Sequence, residues 1–263
     1  MKLSTRILTG LLLLVVTGLL ISNIILKKEY DKIDKSDVYW TYTKISEQSF
    51  KYLKINGGNI TNVTFEQSPH SSVRILRAWQ RYHNGSIIPV IKDDTLFINF
   101  PPEDKNPYEK FWMQRTTLVR IFCPNLLAVD CYNTNLNLFK LKQKNIAATV
   151  YGRSKFEVES LIRDIDSVKI IQADTSEVVF EMSPDFKPGN KNAVPVAKKV
   201  TNVEESPENI KNPEAMNILF VNADIKGNSL FDIGHAQVGT LQLNIADSSG
   251  IIFSGGALKK YKQ

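Results

Sequence analysis

Three Ala-Asp pairs recur in the C-terminal half of this 263-residue chain: Ala173-Asp174, Ala223-Asp224 and Ala246-Asp247. Each follows an apolar run and opens a polar turn. Carboxylates at equivalent turns have three kinds of chemistry open to them. They can accept hydrogen bonds from the N–H groups of their own turn, share a cation such as Ca²⁺ through oxygen ligands, or move protons. Like charges stacked directly on one another repel by about 1 kcal/mol or more per pair near a surface. Turn bracing by Asp174, Asp224 and Asp247 is the simplest reading, and no catalytic, cofactor-binding or metal-ligating residue is assigned. A further acidic pair, Asp164 and Asp166, lies in the stretch RDID. Two residues apart on a strand, they face one side, as a solvated edge or as paired carboxylates.

The segment PPEDKNPYEKFWMQ, residues 101–114, sets Tyr108, Phe111 and Trp112 among charges. Aromatics on a polar loop form a candidate binding loop, or else cover an open end of the fold. No G-x-S-x-G, H-E-x-x-H or G-x-x-x-x-G-K occurs, so serine, zinc and phosphate-loop chemistry have no support. His70, His83 and His235 are scattered, and Cys123 and Cys131 stand eight apart without a C-x-x-C spacing. Both cysteines fall on the apolar side of alternating runs. They are buried thiols, or a bridge if adjacent strands bring them together.

The elements that must carry these residues are short strands. From Phe50 onward the pattern alternates, as in FKYLKI and NVTFEQ, with the turn NGGN after the first of these. From Val129 a repeat emerges: VDCYNTNLNLF, TVYGRSKFEV, IIQADTSEVVF, FVNADIKGNSLF and LNIADSSGIIF each read strand, small polar corner, strand. Corners placed at Asn133, Gly152, Ala173, Ala223 and Ala246 are 19, 21, 50 and 23 residues apart. The interval of 50 holds an insertion, 183–215, with five of the chain's eleven prolines. A period of about 20 residues built from short strands is the signature of a β-solenoid, whose coils bury their inner faces only by stacking.

Ahead of this domain, Ile7–Leu26 are twenty residues without a charge, flanked by Lys2, Arg6, Lys27 and Lys28. At ~1.5 Å per residue a helix of that length spans the ~30 Å bilayer core. The run is longer than a signal-peptide core and lacks an A-x-A site, so it reads as an uncleaved signal anchor whose partner is the lipid bilayer. The expected organisation is an anchor at 1–28, a charged stalk at 29–49 and an all-β domain at 50–263. The formal charge of +6 includes four positive charges from residues 1–28. The remainder is close to neutral, which argues against a nucleic-acid groove.

The stretches KINGGNITNVTFEQ, residues 54–67, and LQLNIADSSGIIFSGGALKK, residues 241–260, resemble the GIN-domain family of bacterial envelope proteins, described as auto-transporter adhesin heads. The resemblance covers roughly residues 50–260. It implies a right-handed parallel β-helix in the cell envelope, and it transfers no catalytic residue. The resulting expectation is a single-pass membrane protein displaying a structural or binding module outside the cytoplasm, against another envelope protein or a glycan. It is not expected to be an enzyme. The competing class is a carbohydrate-active lyase or hydrolase on the same scaffold.

Overall fold

The computed structural model describes residues 3–82, 87–101, 116–184 and 216–253. The chain divides into two compact units, Met1–Thr43 and Lys44–Gln263. In the first, α1 (Leu3–Asp31) is long and apolar enough to cross a membrane, and none of its apolar window is buried. Its uncharged stretch contains no proline and is rich in leucine, a strong helix former. Beyond it the Tyr39 and Tyr42 rings meet edge to face at 6.3 Å.

The second unit is built almost wholly of strands. In chain order, following β1 (Tyr42–Ser46), come β2 (Tyr52–Asn56), β3 (Asn62–Gln67), β4 (Ser72–Leu76), the short α2 (Arg77–Tyr82), β5 (Val90–Lys92), β6 (Thr95–Asn99) and β7 (Thr117–Cys123). The repeat region supplies β8 (Ala128–Tyr132), β9 (Asn135–Leu141), β10 (Asn145–Tyr151), β11 (Lys155–Ser160), β12 (Asp164–Gln172) and β13 (Glu177–Met182). It ends with β14 (Asn217–Ile225), β15 (Leu230–Asp232), β16 (Gln237–Ile245) and β17 (Gly250–Ile252).

These form two sheets. The nine-stranded sheet runs β1-β4-β7-β3-β9-β11-β13-β15-β17, and the eight-stranded sheet runs β16-β14-β12-β10-β8-β2-β6-β5. From β8 on, consecutive strands alternate between the sheets. Each strand then pairs in parallel with the strand two places later in its own sheet. The earlier strands break this order. β6 and β7 pair in parallel with β2 and β3 on the side away from β8 and β9, while β4 and β5 pair antiparallel with β7 and β6. The sheets are therefore mixed.

Register explains the core. Val63, Leu136, Phe156, Val178, Phe231 and Ile251 stand one above another in the nine-stranded sheet. Ile98, Ile55, Cys131, Val150, Gln172 and Ile225 do so in the other. Side chains alternate in and out along each strand, and the inward ones from both sheets share one hydrophobic cluster. Cys123 and Cys131 are free and buried, on strands of different sheets. Burial pushes the Cys123 thiol up to about 12 and raises that of Cys131 as well. They act as small apolar side chains.

Candidate functional site

The corners leading from the eight-stranded to the nine-stranded sheet come first. Tyr132 pairs with Tyr151, and Val150 with Gln172, so Asn133, Gly152 and Asp174 occupy equivalent places. Ala223, however, pairs with Ile170 and Leu243 inside β14, and Asp224 stands opposite Ile171 and Asn244. The expectation of three equivalent Ala-Asp corners is thus corrected: Asp224 lies within a strand, and the chain turns at Gly227, three residues later. An Ala-Asp pair reads the same in a strand as in a turn, and only the ladder register separates the two cases.

Each acid has its own partners. Asp174, at φ 66°, accepts a hydrogen bond from the Gly152 N–H through Oδ2 at 2.8 Å. Asn133, at φ 51°, accepts one from the Arg153 N–H at 2.8 Å. The Lys226 ammonium, 2.8 Å from Asp224 Oδ2, holds that carboxyl below its usual range, and Asn244 Nδ2 donates to Oδ1 at 2.9 Å. Asp247 is exposed at the next corner. Gly152 and Gly227 adopt φ 71° and 70°, and a Cβ on Gly227 would stand 2.5 Å from the Asp174 carbonyl oxygen. Side-chain-bearing and bare corners therefore alternate along the stack from Asn133 to Gly227, which keeps carboxylates off adjacent rungs. Asp164 and Asp166 both point outward from β12, engaging Asn217 Nδ2 at 2.8 Å and Lys144 Nζ at 3.7 Å. Among the described residues no group of three or more His, Cys, Asp or Glu could hold a metal ion. Tyr108, Phe111 and Trp112, and nearly all of 183–215, lie outside the described residues.

One column escaped the sequence reading. The residues immediately before β3, β9, β11, β13, β15 and β17 of the nine-stranded sheet are Thr61, Thr134, Ser154, Ser176, Ser229 and Ser249, a hydroxyl ahead of each of these strands. The first five are buried. Thr134 donates to the Gly57 carbonyl at 2.9 Å, Ser154 to Tyr151 at 2.6 Å, Ser229 to Lys226 at 2.8 Å and Ser249 to Gly227 at 2.7 Å. Gln172, fully buried, adds a bond to the Leu230 carbonyl at 3.1 Å. Corner carbonyls that would otherwise be buried without partners are satisfied this way. A Ser or Thr one or two residues past each corner position from Asn133 to Asp247 was the available signal.

Outside the core, the two sheets present different surfaces. On the eight-stranded sheet, outward residues of β2, β8 and β10 are Tyr52, Lys54 and Asn56; Ala128, Asp130 and Tyr132; Asn145, Ala147, Thr149 and Tyr151. Tyr132 and Tyr151 stack with ring centroids 5.0 Å apart and planes inclined by 33°. Lys54 Nζ pairs with Asp130 Oδ2 at 2.9 Å, and that bond raises the Lys54 ammonium. Burial, followed by the neighbouring Asp130 carboxylate, pushes the Tyr151 phenol up. Asp130 Oδ1 is shielded from solvent and has no hydrogen-bond partner among the described residues. Between the row of Tyr52 and Ala128 and the row of Tyr132 and Tyr151 stand Lys54, Asp130 and Thr149.

The nine-stranded sheet presents Lys155, Glu157, Glu159, Glu177, Glu181 and Asp232 outward from β11, β13 and β15. Lys155 Nζ sits 2.6 Å from Glu157 Oε1, and its ammonium is raised by that bond and by the charges of Glu157, Glu177 and Glu181. Beside this face a cleft of about 320 Å³ is lined by Phe180, Met182, Met216, Asp232, Ile233 and His235 among others.

No family model matches the sequence, and no curated protein matches it. Among solved structures, a candidate adhesin from Parabacteroides distasonis is similar at 13% identity and TM-score 0.37, over 80% of this chain and 95% of that one. A candidate adhesin from Bacteroides fragilis is similar at 10% identity and TM-score 0.35, over 80% and 94%. A candidate lipid-binding protein from Parabacteroides distasonis is similar at 9% identity and TM-score 0.31, over 81% and 96%. Likenesses this distant carry no weight for fold or function, which rest on the register and side chains described above.

Proposed function

We propose that this chain is a membrane-anchored binding module of the bacterial cell envelope, built as a right-handed parallel β-helix of the GIN-domain type. The observation that carries the reading is the strand order. From β8 to β17 each coil adds one parallel rung to each sheet, at ~4.8 Å per rung. Outward side chains are thereby held in fixed columns by a rigid, hydrogen-bonded scaffold, which is the arrangement that preorganises a recognition surface. The apolar α1 supports insertion in a bilayer, with residues 44–263 displayed outside the cytoplasm. In this reading Asp174 and Asp247 brace corners, and the partner is another envelope molecule or a glycan.

The test is topological. Cells carrying the full chain are fractionated and washed with carbonate, and intact cells or spheroplasts are treated with protease from outside. The chain is expected to stay in the membrane fraction, and residues 44–263 to be digested by external protease. A soluble, N-terminally shortened product, or complete protection, would overturn the reading. Release of oligosaccharide products from envelope glycans by the purified chain would instead place it among carbohydrate-active enzymes.

A further inference from the structure

We infer that the end of the stack formed by β16 and β17 is a strand-docking edge, and that residues 257–263 of the same chain occupy it as one more parallel rung. Among the described residues β16 and β17 are the last strands of their sheets. Asn217 pairs with Gln237, Ile225 with Ile245 and Leu230 with Gly250, so successive rungs here are 20 residues apart. Residues 254–263 lie outside the described residues. Carried forward, the register sets Ala257 opposite Gln237, Leu258 opposite Val238, Tyr261 opposite Leu241 and Gln263 opposite Leu243. The inward columns then read Ile218, Val238, Leu258 and Val221, Leu241, Tyr261. The outward doublets Leu219-Phe220 and Gly239-Thr240 continue as Lys259-Lys260. Residues 257–263 thus repeat the inward and outward order of the two rungs below, including the single step of three.

Burial points to the same occupant. An inward residue on a terminal rung loses the cover of one neighbour. Leu241, Leu243 and Ile251 are only partly buried, whereas Val221, Ala223 and Phe231 one rung below are closed off. Val238 departs from this, at 2% exposed, and cover lapses along β16 to 39% exposure at Ile245. A segment laid from Gln237 to Leu243 covers Val238 with Leu258 and stops short of Ile245. Phe253 packs against the core twenty residues after Ile233, the residue at which the chain leaves β15 for β16. Chemistry favours this segment over a second copy. Leu258 brings an aliphatic side chain to the Val238 column, and Tyr261 a ring whose hydroxyl stays in water at the open end. Lys259, Lys260 and Lys262 fall on the outward side, beside the uncharged Gly239, Thr240 and Gln242. Lysines on an outermost strand oppose pairing with another chain, and two copies meeting end to end would bring theirs together.

The experiment uses the full chain in detergent carrying Thr240→Cys with Lys260→Cys, an outward pair that the register sets ~4.8 Å apart on neighbouring rungs, within the Cα range of a disulfide. Gln237→Cys with Lys260→Cys, three residues out of register, is the mismatched pair. Cys123 and Cys131 are buried and inert to mild oxidation. The matched pair is expected to link within one chain, read by mass spectrometry and gel mobility, at least about tenfold faster than the mismatched pair. Hydrogen exchange of the unsubstituted chain gives a second measure. Alternate amides of 257–262, those facing β16, are expected to exchange at least about tenfold slower than in a free peptide of that sequence. Leu258→Asp is expected to remove this protection and to speed exchange in β16, while Lys260→Ser leaves both unchanged. Slow exchange in β10 and β12 shows that each variant is folded. The inference is overturned if the matched pair links no faster than the mismatched one, if residues 257–262 exchange as a free peptide, or if Leu258→Asp changes nothing. It is also overturned if the bonds formed join two chains, which would place a second copy at the edge. None of these outcomes touches the binding-module reading, which the protease experiment scores separately.

Discussion

The two sheets share one core and differ outside it. Inward positions of both carry the same kind of residue: Val, Leu, Ile and Phe, with little or no exposure. Outward, the rungs of β11, β13 and β15 set five carboxylates around the single ammonium of Lys155. The rungs of β2, β8 and β10 set three tyrosines around a balanced Lys54–Asp130 pair. Glu159 pairs directly with Glu181 across β11 and β13, an arrangement that costs stability when both are charged. A stacked-strand scaffold tolerates this because its stability resides in the inward columns. The outer faces are therefore free to take whatever chemistry a partner requires.

The largest effect tests that division. Phe156 is fully buried in the inward column of the acidic-faced sheet. Phe156→Ala is expected to cost about 3–5 kcal/mol through lost transfer energy and the cavity left behind. Tyr52→Ala, on the outward face of the other sheet, is expected to stay within about 0.5 kcal/mol. Urea titration of the full chain in detergent measures both. A Tyr52 variant as unstable as the Phe156 variant would show the aromatic face to be part of the stabilising structure, and the comparison would fail.

The next effect concerns the corners that keep both faces in register. Gly227 has φ 70°, and any Cβ there meets the Asp174 backbone. Gly227→Ala is expected to destabilise by about 2–3 kcal/mol. Gly250 has no positive φ, and its added Cβ would meet only the Leu230 Cδ1 at 3.2 Å, an atom at the end of a flexible side chain. Gly250→Ala is expected to cost well under half as much. Equal losses at the two sites would mean that corner geometry does not control the stack.

Much of this architecture was legible in the sequence because it depends on local alternation. FKYLKI, NVTFEQ and the strand–corner–strand repeats all show the period of two that places one side chain in the core and the next outside. Register was harder to read. β12, β14 and β16 each contain two consecutive outward residues, Asp166-Ser167, Leu219-Phe220 and Gly239-Thr240. Their inward positions therefore step by three once, alike in all three strands, and the corner was set three residues early at Ala223 because the Ala-Asp pair there lies inside β14. The first strands were also misleading. β6 and β7 follow β2 and β3 in the chain but stack on the sides away from β8 and β9 respectively, an order fixed by tertiary pairing with no local trace. The outward tyrosine face was not legible at all. Tyr52, Tyr132 and Tyr151 are far apart in sequence, and only the pairing of β2, β8 and β10 brings them together.

The smallest expected effect sharpens the contrast between the faces through pH. Lys54 and Lys155 both have raised ammonium values, each chiefly through a hydrogen bond to one carboxylate, Asp130 and Glu157 respectively. Lys155 additionally faces the charges of Glu177 and Glu181. When a lysine binds its proton more tightly folded than unfolded, its contribution is fully present below the unfolded value of ~10.4. That contribution is lost as pH rises through the folded value. Melting temperature should therefore fall as pH rises above about 10. Lys155→Met, which preserves the apolar stem, should flatten that fall more than Lys54→Met does, because three carboxylates lose their counter-charge on the acidic face and one on the aromatic face. Both lysine side chains are close to half exposed, so solvent screens the effect. The difference between the variants should shrink further in 1 M salt, where the Debye length is ~3 Å. Melts of wild type and both variants across this range, at low and high salt, decide the matter. A larger flattening with Lys54→Met, or a difference that grows with salt, would show that the acidic outer face does not act on Lys155 as its geometry requires.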